Sequence, residues 1–165
     1  MDDRKGEQMM KKIMLIALSV LMVCILTGCG GQKEAAVDST ADVALKELVA
    51  RHITKAGAMI EMPETDLEDY IGIEPSMYKE AVYLQEGTLD GDEVLVIRAV
   101  DSKAADSVVS CMENYLAQRL KETQNYLPEA YKVLKATGVQ RKHNTVALIV
   151  MEKATDVTTA LLAGE

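Results

Sequence analysis

Apolar positions are arranged in three ways along this chain. One run is unbroken, from Ile13 to Leu26, fourteen residues without a charge and with Ser19 as the single polar interruption. Beyond it the pattern becomes periodic. Ala41, Leu45, Leu48, Val49, His52 and Ile53 recur at helical spacing, with Ser39-Thr40-Ala41-Asp42 as a Ser-x-x-acid start and Gly57 as a stop. Thr65 to Tyr70 predicts a short helix, its first turn acidic. Ala81 and Tyr83 then alternate with Val82 and Leu84, and Glu93 to Val100 is β-rich, so the Leu89-Asp90-Gly91-Asp92 segment between them predicts a hairpin turn. Val94 to Ile97 is apolar at both alternating phases, the mark of an inner strand. Asp101 or Ser102 caps a long helix to about Tyr126, with Ala105, Val108, Val109, Met112, Leu116 and Leu120 as its apolar stripe. Pro128 restarts a short helix. Lys135 to Arg141 and Thr145 to Glu152 predict a second hairpin, turned at Lys142-His143-Asn144, with Val146, Leu148 and Val150 on one face and Ala147, Ile149 and Met151 on the other. A last helix starts at Thr155 or Asp156, runs through Leu162 and ends at Gly164. The expected architecture is α+β: a four-stranded antiparallel sheet built from two hairpins, with the long helix between them and further helices packed on one face.

The unbroken run has a different meaning. As a helix, fourteen residues span about 21 Å at 1.5 Å per residue, short of the roughly 30 Å hydrocarbon core of a bilayer. Arg4, Lys5, Lys11 and Lys12 precede it, and Thr27 and Gly28 follow. A positive start, a short apolar centre and a small-residue end make an export signal. Leu26-Thr27-Gly28-Cys29 resembles the lipobox of bacterial lipoproteins. The resemblance implies that the Cys29 thiol carries a diacylglyceryl group and that the chain is cut before it. Residues 1–28 are then a lipoprotein signal peptide, 29–38 a lipidated stalk and 39–165 a single α+β domain. The protein is expected on the cell membrane, lipid-anchored and facing outside the cytoplasm. Met10-Lys11-Lys12 already opens a complete signal while Asp2, Asp3 and Glu7 dilute its charge, so translation is expected to start at Met9 or Met10 as readily as at Met1.

Charge sharpens the division. Removing the first 28 of 165 residues removes 4 of the 18 Lys and Arg and 3 of the 26 Asp and Glu, so the net charge moves from −8 to −9. The acidity belongs to the domain. With no Trp, no Phe and no basic run, it is poorly suited to a phosphate backbone, and a nucleic-acid partner is excluded.

Candidate chemistry is sparse. Cys24 leaves with the signal and Cys29 is consumed as a thioether, so Cys111 remains alone, as a packing residue in a helix. Glu61, Glu64, Asp66, Glu68, Asp69 and Glu74 occur with no Lys or Arg among them. Clustered carboxylates suit a divalent cation, but no calcium-loop spacing is present, and a solvated acidic helix turn explains them. Asp90 and Asp92 beside Gly91 are turn chemistry. His52 lies on the apolar side of a helix and His143 in a turn, neither within a nucleophile or metal motif. No catalytic residue, metal or cofactor is predicted. The aromatics are six tyrosines, a residue suited to interfaces because the ring buries area while the hydroxyl stays wet. Tyr83, Tyr115 and Tyr126 are expected as large core fillers. Tyr70, Tyr78 and Tyr131 are the candidate partner surface.

Tyr70-Ile71-Gly72-Ile73, the strand end Ile97-Arg98-Ala99-Val100-Asp101 before Ser102-Lys103-Ala104, Tyr126-Leu127-Pro128 and the final hairpin together resemble a family of small lipoproteins from Gram-positive bacteria. Its C-terminal domain has no known function, and the resemblance covers roughly Asp66 to Leu162. Where that family turns through Gly-Asn-Tyr, this chain has His143-Asn144-Thr145. The resemblance implies architecture and location and supplies no catalytic residues. Two functions follow: a non-catalytic tethered module that binds an envelope protein or peptide, or a small envelope enzyme or solute or cation binder using the acidic 61–74 segment.

Overall fold

The computed structural model describes residues 43–88 and 91–163. The expected signal, the stalk with Cys29, the Ser39 helix start, the Asp90 position of the hairpin turn and Gly164 lie outside the described residues. By its contacts the chain divides into Met1–Ala35 and Ala36–Glu165, and every described residue belongs to the second unit.

In chain order the elements are α1 (Leu45–His52), β1 (Ile60–Glu61), a short helix α2 (Glu64–Asp66) that widens into a π turn over Leu67–Ile71, β2 (Tyr78–Gln85), β3 (Glu93–Ala99), α3 (Ser102–Thr123), α4 (Pro128–Ala136), β4 (Gln140–Lys142), β5 (Thr145–Val150) and α5 (Ala154–Ala163). All strand pairs are antiparallel, in the order β1-β2-β3-β5-β4. The expected α+β class and both hairpins are present, but the sheet has five strands rather than four. The additional strand is β1, two exposed residues whose Ile60 and Glu61 pair with Gln85 and Leu84. Two residues carry no readable period.

The helices cover both faces of the sheet, not one. Leu95, Ile97 and Ala99 of β3 and Val146, Leu148 and Val150 of β5 pack with Leu67, Val108, Met112 and Leu116. The alternate positions Val94, Val96, Ala147 and Ile149 pack with Leu45, Leu48 and Val49 of α1 and Leu161 and Leu162 of α5. Every residue of β3 and of β5 is buried. A strand apolar on both faces leaves one face wet unless both are covered, at about 25 cal/mol per Å² of apolar surface, and that is the reason for two helical layers.

Other boundaries moved for local reasons. Lys135, expected in a strand, belongs to α4: it stands 5.9 Å over the Tyr131 ring one helical turn back, and Leu134 is buried. Gly57 does not end α1, because Ile53 turns extended to bury its side chain. Asp101 caps α3 as expected, accepting from the Ala104 N–H at 2.7 Å. Tyr126 is 83% exposed rather than a core filler, since α3 ends at Thr123 and leaves it in the turn before Pro128. Among the described residues no helix is long and apolar enough to cross a membrane.

The π turn ends at Gly72, whose φ is +79°. Its N–H donates to Glu68 O at 3.1 Å, and that of Ile73 to Leu67 O at 2.8 Å. A Cβ at Gly72 would meet only Cys111 Sγ, at an ordinary 3.9 Å, so the cost of Gly72→Ala is one of backbone conformation. We expect Gly72→Ala to destabilise by about 1 kcal/mol in chemical denaturation. Gly138→Ala, where the φ is ordinary and the space open, should be neutral or slightly stabilising. Equal effects at the two sites would contradict this account of the turn.

Candidate functional site

β-strand alternation places Glu93 on the same face as Leu95 and Ile97, and Tyr83 and Gln85 on the corresponding face of β2. Above them runs the second half of α3, where Tyr115, Gln118, Arg119 and Glu122 recur at i, i+3, i+4 and i+7 and so share one side of the helix. The π turn packs against the middle of α3, where Cys111 Sγ donates to Gly72 O at 3.2 Å. A groove of about 800 Å³ remains between the end of the β2–β3 hairpin, the π turn and the C-terminal half of α3. Pockets for small ligands occupy roughly 300–1,000 Å³. Ile60, Met62 and Tyr70 make its apolar border, and Asp66, Glu86, Asp92 and Glu122 also line it.

Its floor is a polar network. Gln85 Nε2 donates to Tyr83 Oη at 2.6 Å, Tyr83 and Tyr115 share a hydroxyl hydrogen bond of 3.2 Å, and Arg119 Nη1 donates to Tyr115 Oη at 3.0 Å. The same Nη1 lies 2.5 Å from Glu93 Oε2. The Arg119 guanidinium also stands 5.8 Å over the Tyr115 ring. Glu93 is 1% exposed, and its second oxygen, Oε1, has no hydrogen-bond partner among the described residues. A buried acceptor left unsatisfied costs about 1–3 kcal/mol, more when charged. Folding alone gives no reason to keep one at the floor of a groove.

The electrostatics follow from this burial. Burial raises the Tyr83 phenol well above its ordinary range, Glu93 adding to the effect and then Tyr115. Tyr115 is raised by burial and by Glu93, against the opposing pull of Tyr83 and Arg119. Both phenols therefore stay protonated. For Arg119, burial works against the charge, but Glu93 and Tyr115 outweigh it and hold the proton more tightly than usual. At the rim, Lys55 donates to Glu86 at 2.9 Å and contacts Asp92. Burial opposes its charge too, and the two carboxylates overcome it, while Glu86 is held below the usual carboxylate range by Lys55 and by the Asp92 N–H.

The residues singled out from sequence are scattered relative to this groove. Tyr70, 71% exposed, lines it with Tyr83 and Tyr115. Tyr78 stands at the far end of β2, where burial first and then Glu64 and Glu68 raise its phenol, and Tyr131 is on α4 under Lys135. Of the acidic 61–74 segment, Met62, Asp66 and Tyr70 reach the groove. Glu61 pairs instead with Lys46 at 2.8 Å. His52 lines a separate hollow of about 550 Å³ with Lys55 and Glu152, and His143 is exposed at the β4–β5 turn with φ +53°. Among the described residues no group of three or more His, Cys, Asp or Glu is placed to hold a metal ion. The Cys111 thiol is pushed up by burial and by Glu74, which makes it a poor nucleophile.

Sequence reasoning missed Glu93, Gln118, Arg119 and Glu122. Two signals were available: a glutamate in phase with the inward-facing Leu95 and Ile97 of β3, and a polar i, i+3, i+4, i+7 stripe beside the apolar stripe of α3.

The family described as Domain of unknown function (DUF4358) matches residues 52–151. Every residue lining the groove falls inside that span. No curated protein and no solved structure matches the chain.

Proposed function

We propose, for a chain that belongs to the DUF4358 family, the role of a membrane-tethered extracytoplasmic binding module, held by lipid on Cys29 and engaging its ligand through the groove. The observation that carries the binding role is Glu93: a carboxylate 1% exposed, half of it satisfied by Arg119 and half unpartnered, at the floor of an aromatic-bordered groove. Binding is favoured over catalysis by the chemistry of the lining. A hydrolytic nucleophile needs a base within hydrogen-bond reach, whereas Tyr83 and Tyr115 are held protonated and Arg119 holds its charge. The tether is supported by the lipobox-like Leu26-Thr27-Gly28-Cys29 behind a short apolar run. The alternative of a small envelope enzyme or cation binder built on residues 61–74 has less support, because neither histidine lines the groove and Glu61 is paired elsewhere.

Two exposed tyrosines provide the test. Tyr70 borders the groove and Tyr126 does not, so nitration of the protein in its own envelope should spare Tyr70 and modify Tyr126 if the groove is occupied there.

A further inference from the structure

The geometry points to a primary ammonium group on a flexible apolar stem as the chemistry that the groove receives, with Glu93 Oε1 as its acceptor. This rests on the groove being the binding site. Three observations carry it. Glu93 Oε1 is a buried acceptor without a partner among the described residues, and a neutral or anionic acceptor group brought against it would leave it so. The lining is acidic: Asp66, Glu86, Asp92, Glu93 and Glu122 face the groove, against Arg119 as the single basic lining residue among the described residues. Lys55 answers Glu86 and Asp92 from the rim, which leaves Asp66 and Glu122 to favour an incoming cation. Ile60, Met62 and the open face of Tyr70 then offer apolar and aromatic surface to the methylenes and to the charge itself.

A compact ammonium fits this acceptor better than a guanidinium. Arg119 already occupies Oε2 with one nitrogen, and a planar fork seeks two oxygens at once, whereas a point charge with three donors needs one. The stem is required because Glu93, 1% exposed, lies deep in the lining of the groove. A lysyl side chain of a peptide and a free alkyl amine share this chemistry.

The experiment titrates the full chain in detergent with three probes: Nα-acetyl-lysine methylamide, the same compound acetylated at Nζ, and 1,5-diaminopentane. Binding is read by calorimetry and by the shifts of the Tyr70 and Gln118 signals. The amine probe should bind at least about tenfold more tightly than its Nζ-acetylated form, and raised salt should weaken it. Glu93→Gln should remove at least about tenfold of that affinity. Because Glu93→Gln also unsettles Arg119, Glu122→Gln on the exposed rim serves as a second variant, expected to leave the fold intact and to weaken the amine about threefold. Equal binding by diaminopentane indicates that a free amine suffices; binding by the lysyl probe alone indicates a peptide. Either result supports the inference. An acetylated probe that binds as tightly as the amine overturns the ammonium while leaving the groove as a site. No shift at Tyr70 or Gln118 with any probe overturns it as well, and the occupancy of Tyr70 in the envelope then decides the groove on its own.

Discussion

A Cys29→Ala chain should lose all incorporation of a labelled fatty acid and should retain residues 1–28. In a lipobox the cysteine sulfur takes the diacylglyceryl group, and cleavage follows on the modified residue, so removing the sulfur stops both steps. The energetic contrast is large: each buried methylene contributes about 0.8 kcal/mol, so two or more acyl chains hold a domain on a membrane that a single chain holds only marginally. As a helix the Ile13–Leu26 run would measure about 21 Å, against the roughly 30 Å hydrocarbon core of a bilayer. Mass spectrometry of the membrane-extracted protein should show a mature chain beginning at Cys29 and carrying acyl mass, and an unmodified precursor for the variant. Identical processing and labelling in both chains would remove the lipid tether from this account.

The largest stability effect is expected at Arg98. Its side chain is 9% exposed and lies on the α1 face of β3, where Nη1 donates to Glu80 Oε2 at 2.8 Å and Nη2 to Val43 O at 2.8 Å. Glu80 Oε2 in turn accepts from the Leu45 N–H at 3.1 Å. Ala44 caps α1 without a side-chain hydrogen bond, so a carboxylate from β2 supplies the missing acceptor at the helix N-terminus, where negative charge is also favoured by the helix dipole. A bulge at Lys79 brings Glu80 opposite Arg98. Arg98→Ala removes the guanidinium and leaves Glu80 and the Val43 carbonyl without it. Breaking a buried pair costs about 3–5 kcal/mol; since Glu80 is 39% exposed, we expect about 3 kcal/mol, or a melting temperature lower by roughly 10 °C. Hydrogen exchange should quicken first at Leu45 to Val49. A loss below about 1 kcal/mol would show that the pair contributes no more than a surface salt bridge.

These two sites also show what was legible in the chain. Asp101, the stripe from Ala105 to Leu120 and Pro128 located α3 and α4 because capping and helical spacing are local signals. The β2–β3 hairpin was legible for the same reason. The two helical layers are implied by Val94 to Ile97 and by the double-sided run Val146 to Met151, whose apolar positions leave no face for water; helices on one face alone would leave the other phase of these strands wet. The real cap of α1 was not legible, since Glu80 and Arg98 meet its first turn from 35 and 55 residues away. Glu93 was hidden in the same way. In sequence it is the polar first residue of a strand, and only the partnership with Arg119, 26 residues further on, makes it the floor of a groove. Tyr126 failed in the opposite direction, because the absence of Phe and Trp argued for burial where the turn before Pro128 exposes it.

The most direct measurement of the central claim, that the groove is the working surface of a tethered domain, is tyrosine nitration in the native envelope compared with the detergent-purified full chain. Tyr83 and Tyr115 are kept protonated by burial and by Glu93, and nitration favours the phenolate, so the signal comes from the exposed rings. Tyr70 and Tyr126, 71% and 83% exposed, should react alike in detergent. In the envelope Tyr126 should still react while Tyr70 is protected severalfold. Equal nitration of Tyr70 and Tyr126 in both settings would contradict the account.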